Sequence, residues 1–453
     1  MPRPSVTSEF VRTPAASPVD AGARVMALIG HGSDKLVIQQ AIVKGTADGQ
    51  DPLAHTATAI LKVGNFKGTE DYVMTTDYIL TAGKIDWSPA NDQPVTGATY
   101  YVTYEYAKVT ADYAPFLTDS FDEVINRVGP INLTTGDLDV TSYLTAAAQI
   151  AFNVGVRQVI ICQVETNDTT GFSGAYDKLE QPIETVNPYY IVPLLGSLGT
   201  IGDFNTARGT ALTHVNKMSS EEFGKERQLY TGLKDYVGSG LGVSDFVALA
   251  TALGTSRVIL AGQYNPLRVI DSSDVELDGT FEAVMLASYR SSQSRASDPM
   301  MNKPITGAFS GYATRWGDID IDNLVDGSVC VTEETAGVIK VVDDITTDNS
   351  DEIEIDINTV EARDVLVSTL RNAIYDRYVG ARGDNTISSQ LKKFTNDYLS
   401  GQVGTGLIAA IGAISANRKP GSLREWEIAF SYLPITKVRD IKIRFSVDLG
   451  LAA

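Results

Sequence analysis

The residue types that do chemistry are sparse in this chain. Only three histidines occur, His31, His55 and His214. They are far apart, and none lies in a motif with metal-ligand or general-base spacing, so each reads as a surface or packing residue. Gly238-Ser239-Gly240-Leu241-Gly242 is glycine-rich. It lacks the Lys-Ser/Thr of a phosphate loop and the full spacing of a dinucleotide fingerprint, so it reads as a loop. Asp318, Asp320 and Asp322 open like a calcium loop. Asn323 then stands where the turn glycine is required, and Val329 where the bidentate glutamate is required. That stretch reads as a solvated acidic strand. Ser173 in Gly171-Phe172-Ser173-Gly174 is followed by Ala175 where a nucleophile elbow needs glycine. No catalytic residue, cofactor site or metal site is expected, and the chain does not read as an enzyme.

Composition narrows the partners. The chain has 453 residues and a formal net charge of −19, which repels nucleic acid and anionic lipid over most of its surface. No nucleic-acid partner and no direct membrane insertion are expected. The charge is uneven: from Glu361 onward there are 13 Lys/Arg against 9 Asp/Glu, leaving 24 against 47 before it. A more basic C-terminal quarter suits an acidic partner. Cys162 and Cys330 each sit in an apolar run, the setting of small core thiols rather than of a disulfide framework. The opening residues carry no apolar signal segment, and no apolar stretch approaches the ~20 residues that span a bilayer. Asn132-Leu133-Thr134 and Asn167-Asp168-Thr169 therefore carry no meaning as glycosylation sites. A soluble protein made in the cytoplasm is expected.

The elements suggest four segments. Residues 1–22 form an extended, Pro-rich arm with a short alternating run that includes Val6 and Phe10. Residues 23–111 read as short strands with Gly, Asp and Pro punctuation, such as Leu36 to Val43 and Tyr100 to Tyr106. They suggest a small sandwich or barrel. Residues 112–345 alternate helices with buried apolar strands, including Gln158 to Val164, Tyr189 to Leu195 and Arg257 to Ala261. That alternation argues for an α/β core. Residues 346–453 hold a helix marked by Ala362, Val365, Leu366, Leu370, Ile374 and Tyr378, with Asn358 and Glu361 at capping-box spacing. A second helix spans about Ser388 to Leu399.

The chain ends on two strongly alternating runs. Trp426, Ile428, Phe430 and Tyr432 form the first, and Ile441, Ile443, Phe445, Val447 and Leu449 the second, separated by Pro434. The first reads as a strand closing a sheet in its own subunit. The second reads as a strand given to another copy, because a long apolar terminal strand is a pairing hazard if left alone. Ile441, Ile443, Phe445 and Val447 would supply its apolar side. Lys442 and Arg444 would supply the other side.

These last residues resemble the C-terminus of contractile phage tail sheath proteins. The resemblance is carried by Gly421-Ser422-Leu423-Arg424-Glu425-Trp426-Glu427-Ile428, Ser431-Tyr432-Leu433-Pro434-Ile435 and Ile441-Lys442-Ile443-Arg444-Phe445-Ser446-Val447. Asn187-Pro188-Tyr189-Tyr190-Ile191-Val192-Pro193-Leu194 and Asp77-Tyr78-Ile79-Leu80 with Gly83-Lys84-Ile85-Asp86-Trp87 extend it. The start departs from the family: Pro4-Ser5-Val6-Thr7 stands where many members read Pro-Gly-Val-Tyr. The resemblance implies an α/β, multidomain sheath subunit with a protruding β-domain and extended terminal arms, located in the virion tail. Its partners would be copies of itself in stacked hexameric rings, an inner tail tube, a baseplate and a tail terminator. Contraction would drive the tube through the host envelope. Arg363, Arg371, Arg377, Lys392 and Lys393 are then the candidate contacts to an acidic inner tube. The other readings are a cell-surface-binding adhesin or hydrolase of the virion, and the sheath of a phage-like bacteriocin or secretion system.

Overall fold

The structure is a computed structural model that describes residues 24–45, 49–89, 92–350, 353–380, 383, 386–422 and 424–438. The arm expected over 1–22, with Val6 and Phe10, lies outside the described residues. So does the expected exchange strand with Ile441, Lys442, Ile443, Arg444, Phe445 and Val447. The chain forms two compact units. One comprises Ala23–Gln293 and Met301–Asp348; the other includes Ser294–Met300 and the chain from Asn349 on.

The larger unit is built on β1 (Met26–Gly30), five residues that are buried throughout. A continuous apolar run suits a strand covered on both faces. Residues 23–111 were expected to be one β-domain, yet β1 does not belong to it. It pairs in parallel with two strands far along the chain. The small β-domain begins after β1, as β2 (Lys35–Val43), β3 (Gln50–Pro52), β4 (Ala57–Gly64), β5 (Ile79–Thr81), β6 (Lys84–Asp86) and β7 (Thr99–Ala107). These form two antiparallel sheets, β2-β7-β4 and β3-β6-β5. The Lys108 amide donates to the Asp34 carbonyl at 2.9 Å, so the domain enters and leaves the α/β core at one point.

Trp87 sits at the centre of the β-domain. Tyr72 and Tyr100 meet it edge-on, each with centroids 5.3 Å away. Its indole N–H donates to Asp51 at 3.0 Å, as does the Tyr100 hydroxyl at 2.8 Å. Lys44 is buried beside them, 3.7 Å from Asp51 and over the Trp87 ring. A buried charge is tolerated here because it is paired and its partner is fully hydrogen-bonded.

The core continues through β8 (Phe116–Thr118), α1 (Phe121–Val128), the short pair β9 (Leu133–Thr134) and β10 (Asp137–Leu138), and α2 (Tyr143–Val154). Next come β11 (Val159–Gln163), α3 (Thr169–Lys178), β12 (Tyr190–Pro193), α4 (Ile201–Met218), β13 (Gln228–Thr231), α5 (Val243–Leu253) and β14 (Val258–Leu260). The sheet order is β14-β13-β12-β1-β11-β8, parallel except for the edge strand β8. Helix α6 (Gly279–Ser292) and α2 cover one face, while α3 and α4 cover the other. Ala27, Ile29, Ile160, Cys162, Ile191 and Leu229 pack with Phe172, Phe204 and Phe246 on the latter side. Two further sheets follow: β15 (Pro266–Ile270) between β16 (Ser273–Glu276) and β18 (Gly311–Tyr312), and β20 (Val338–Val341) between β17 (Pro304–Ile305) and β19 (Thr332–Thr335).

The acidic stretch expected as a strand is helix α7 (Asp318–Asp326). Its apparent alternation is misleading: Ile321 and Leu324 are buried one turn apart, whereas Ile319 is 77% exposed. Gly317 caps the helix and donates to the Asp320 carboxylate at 3.3 Å. Acids in a first turn complement the helix dipole.

The smaller unit holds α8 (Ile357–Tyr378), α9 (Ile387–Gly404), β21 (Ala410–Arg418) and β22 (Trp426–Leu433). Asn358 and Glu361 are not a capping box. The N-cap is Asp356, and both residues lie buried inside the first turns of α8.

Two glycines test the packing of the larger unit. A Cβ on Gly232 would lie 1.9 Å from the Gly279 carbonyl oxygen, whereas one on Gly174 meets nothing within 4 Å. Gly232→Ala should therefore cost about 1–3 kcal/mol or more through overpacking. Gly174→Ala, inside α3, should be neutral or stabilising by up to ~1 kcal/mol. Thermal unfolding of the two variants checks both signs.

Candidate functional site

The chemistry-bearing residues do not converge. His55 stacks on Tyr106 with centroids 4.0 Å apart. His214 is buried and held by Arg227, and burial, then the neighbouring guanidinium, pushes its pKa down to about 3. It is a neutral acceptor. His31 is buried, and burial lowers its pKa as well. The Cys162 thiol lies against the Ala175 carbonyl, and burial pushes its pKa up to about 12, which suppresses the thiolate. In the glycine-rich loop, Asp235 accepts from the amides of Val237, Gly238 and Gly240 at 2.9, 2.9 and 2.6 Å. The loop's polar groups are thus turned on itself. Among the described residues, no group of three or more His, Cys, Asp or Glu is arranged to hold a metal ion. No described helix is long and apolar enough to cross a membrane.

What the C-terminal unit offers is an open sheet. β21 and β22 pair antiparallel from Ala410↔Leu433 to Arg418↔Trp426. Trp426, Ile428 and Phe430 with Ala416 pack against Leu370, Ile374, Ile387 and Leu391 of the two helices. Tyr432 with Ile411 and Ile414 packs against Leu366 and Leu399. The first terminal run therefore closes a sheet in its own subunit, as its alternation indicates. Its partner β21 is harder to read. A bulge between Ile411 and Ile414 breaks the period, and Ser431 fills it by accepting from the Ala413 amide at 3.0 Å. Pro420-Gly421 is the turn signal that could have revealed it.

Among the described residues, the sheet has only these two strands, so each has one edge without a strand partner. The chain leaves β22 through buried Pro434. It then runs along the start of α8, where Asn358 donates to the Ile435 carbonyl at 3.4 Å. Lys437 pairs with Asp356 at 2.9 Å, their side chains 2% and 8% exposed. Up to Val438 it forms no ladder with its own hairpin.

The five basic candidates divide. Arg363 is turned inward: its side chain is 11% exposed, pairs with Glu354 and lies 3.3 Å from Asp364. It is not available as a surface contact, because neutralising two buried acids outweighs exposure. Arg371 is half-buried. Arg377 is exposed, its guanidinium 5.1 Å over the Phe394 ring. Lys392 and Lys393, adjacent to Phe394, are exposed too, and Lys393 pairs with Asp397. Arg377, Lys392 and Lys393 are thus the exposed cations among the five.

Residues 32–153 match a family model described as a domain of unknown function, DUF4815. The chain is 25% identical over 336 residues to the tail sheath protein of Bacillus phage SP01, covering 71% of this chain and 57% of that protein. It is 22% identical over 409 residues to the tail sheath protein of Mycobacterium phage Bxz1, covering 86% and 68%. The chain thus spans little more than half of the first relative's length. Among solved structures, it matches the anti-feeding prophage helical sheath in its contracted state with a TM-score of 0.57 at 11% identity, over 99% of this chain and 100% of that one. It matches the sheath complex of an extracellular contractile injection system with a TM-score of 0.54 at 11% identity, over 99% and 98%. The chain therefore has the fold of contractile sheath subunits. The resemblance to tail sheath proteins read from the sequence is borne out.

Arg363→Ala should cost about 3–5 kcal/mol, since it strips the cation from buried acids. Lys393→Ala should cost under ~1 kcal/mol, because its pair is exposed. Chemical denaturation of the two variants distinguishes an inward from an outward cation.

Proposed function

We propose that this chain is a tail sheath subunit that polymerises into a helical, contractile tube around an inner tail tube and shortens to drive that tube through the host envelope. The observation that carries the reading is a sheet that has two strands among the described residues, followed in the sequence by an alternating apolar segment. A backbone edge left unpaired favours a further strand. A segment alternating Ile441, Ile443, Phe445, Val447 and Leu449 is chemically suited to become one. In this reading residues 440–449 of one copy add to the hairpin of the next, and the arm over residues 1–22, with Val6 and Phe10, threads likewise. Such strand joints tether subunits while weaker interfaces slide between two packings of the lattice.

The remaining parts take roles consistent with this. The β-domain from β2 to β7 is the protruding domain. Arg377, Lys392 and Lys393 face an acidic inner tube, where exposed charge guides docking without holding it tightly. Baseplate and tail terminator bound the polymer at its ends. Assembly takes place in the host cytoplasm, and the phage origin of the sequence relatives favours a virion tail over a bacteriocin or secretion system.

Deleting residues 440–453 should leave a folded, soluble monomer that no longer forms tubes. Normal tubes in negative-stain electron microscopy of that truncation would contradict strand exchange. Changing both Lys392 and Lys393 to Glu should weaken co-sedimentation with the inner tube protein while leaving the fold intact. Unchanged co-assembly would remove this surface from the tube interface.

A further inference from the structure

Helix α6 carries an acid in an unusual place. Glu282 is fully buried in the larger unit, and no cation accompanies it. Its partners are two hydroxyls. The Tyr312 hydroxyl of β18 lies 3.2 and 3.1 Å from its two carboxyl oxygens, and the Thr332 hydroxyl of β19 bonds one of them. The two hydroxyls also bond each other, at 2.7 Å. β18 and β19 belong to different sheets, so three separate elements meet in one triangle of oxygens.

Hydrogens can be counted around that triangle. Three hydrogen bonds need three hydrogens, and the two hydroxyls supply two. A third is present only if the carboxyl keeps its proton. If Glu282 ionises, two hydrogens remain for three contacts, and one pair of oxygens is left with none between them. We propose that Glu282, Tyr312 and Thr332 form a proton-loaded latch, in which all three contacts between α6, β18 and β19 are closed only while the carboxyl keeps its proton.

The surroundings support this. β19 carries Glu333 next to Thr332 and then Glu334; Glu334 is paired with Arg315 at 2.7 Å and bears negatively on Tyr312. On β15, Arg268 donates to the Ala308 carbonyl and to Gln149 of α2. On α6 itself, Asp278 caps the helix through Thr280, and Arg290 lies two turns further on. α2 brings Tyr143, and β12 and β13 bring Tyr190 and Tyr230; β1 brings no titratable group. None of the described cations lies within ion-pair distance of Glu282. Burial raises its pKa from the ordinary glutamate value to about 7, against the opposing pull of the two hydroxyls. The unfolded chain releases this proton near pH 4.5, so the latch stabilises fully below that pH. Stability then falls as pH rises to about 7 and levels off beyond.

The test is thermal unfolding of the full-length protein and Glu282→Gln from pH 4.5 to 8.5, with infrared spectra of both. The amide of glutamine supplies a hydrogen that does not titrate. The wild type should lose roughly 3–6 °C more than the variant across this range. Its infrared spectrum at pH 5.5 should show a protonated carboxyl band that fades by pH 8.5 and is missing from the variant. Parallel melting curves, or no such band in the wild type at pH 5.5, would overturn the latch.

Discussion

A strand edge exposes a row of backbone donors and acceptors that must bond to something, and a two-stranded sheet has two such edges. That constraint governs the C-terminal unit. β21 and β22 bury one face on α8 and α9 through Phe430, Tyr432 and Trp426, yet a hairpin alone is marginal in water. The helices hold it in place, and among the described residues its outer edges carry no further strand. The bulge at Gly412–Ala413 keeps one strand irregular, and a Cβ on Gly412 would come 2.3 Å from the Ser431 hydroxyl. A bulge restricts which partner can add and in what register.

The buried charges follow the same division between fixed and available groups. Arg363 pairs with Glu354 and lies beside Asp364 within this unit, and Lys437 fastens the outgoing chain to Asp356. These pairs set where the terminal segment departs. Arg377, Lys392 and Lys393 remain outside, where charge contributes little to stability but can select a partner. The larger unit shows the contrast in another form. Its sheet, parallel except at β8, is covered by helices on both faces. Its β-domain is inserted between β1 and β8 with Asp34 and Lys108 in contact, which adds a domain without disturbing the sheet.

Much of this was legible in the sequence where one period dominated. The buried strands β11, β12 and β14, the Ala-rich α2, the face of α8 and the alternation of β22 all announced themselves. Three features were not legible, each for a physical reason. β1 is a continuous apolar strand next in sequence to the β-domain, and only its distant pairing with β11 and β12 assigns it to the core. β21 has its period broken by a bulge. In α7, Asp-Ile-Asp-Ile-Asp imitates a strand, while the buried spacing of Ile321 and Leu324 is helical. The basic candidates illustrate a further limit. Sequence places Arg363 and Arg377 on one helix but does not say which of them meets buried acids.

The most direct measurement is a cryo-electron microscopy reconstruction of tubes assembled from the full-length protein. The account predicts that the β21–β22 sheet gains a strand formed by residues 440–449 of a neighbouring copy. A sheet that remains two-stranded in the tube, or that gains its third strand from the same copy, would contradict it.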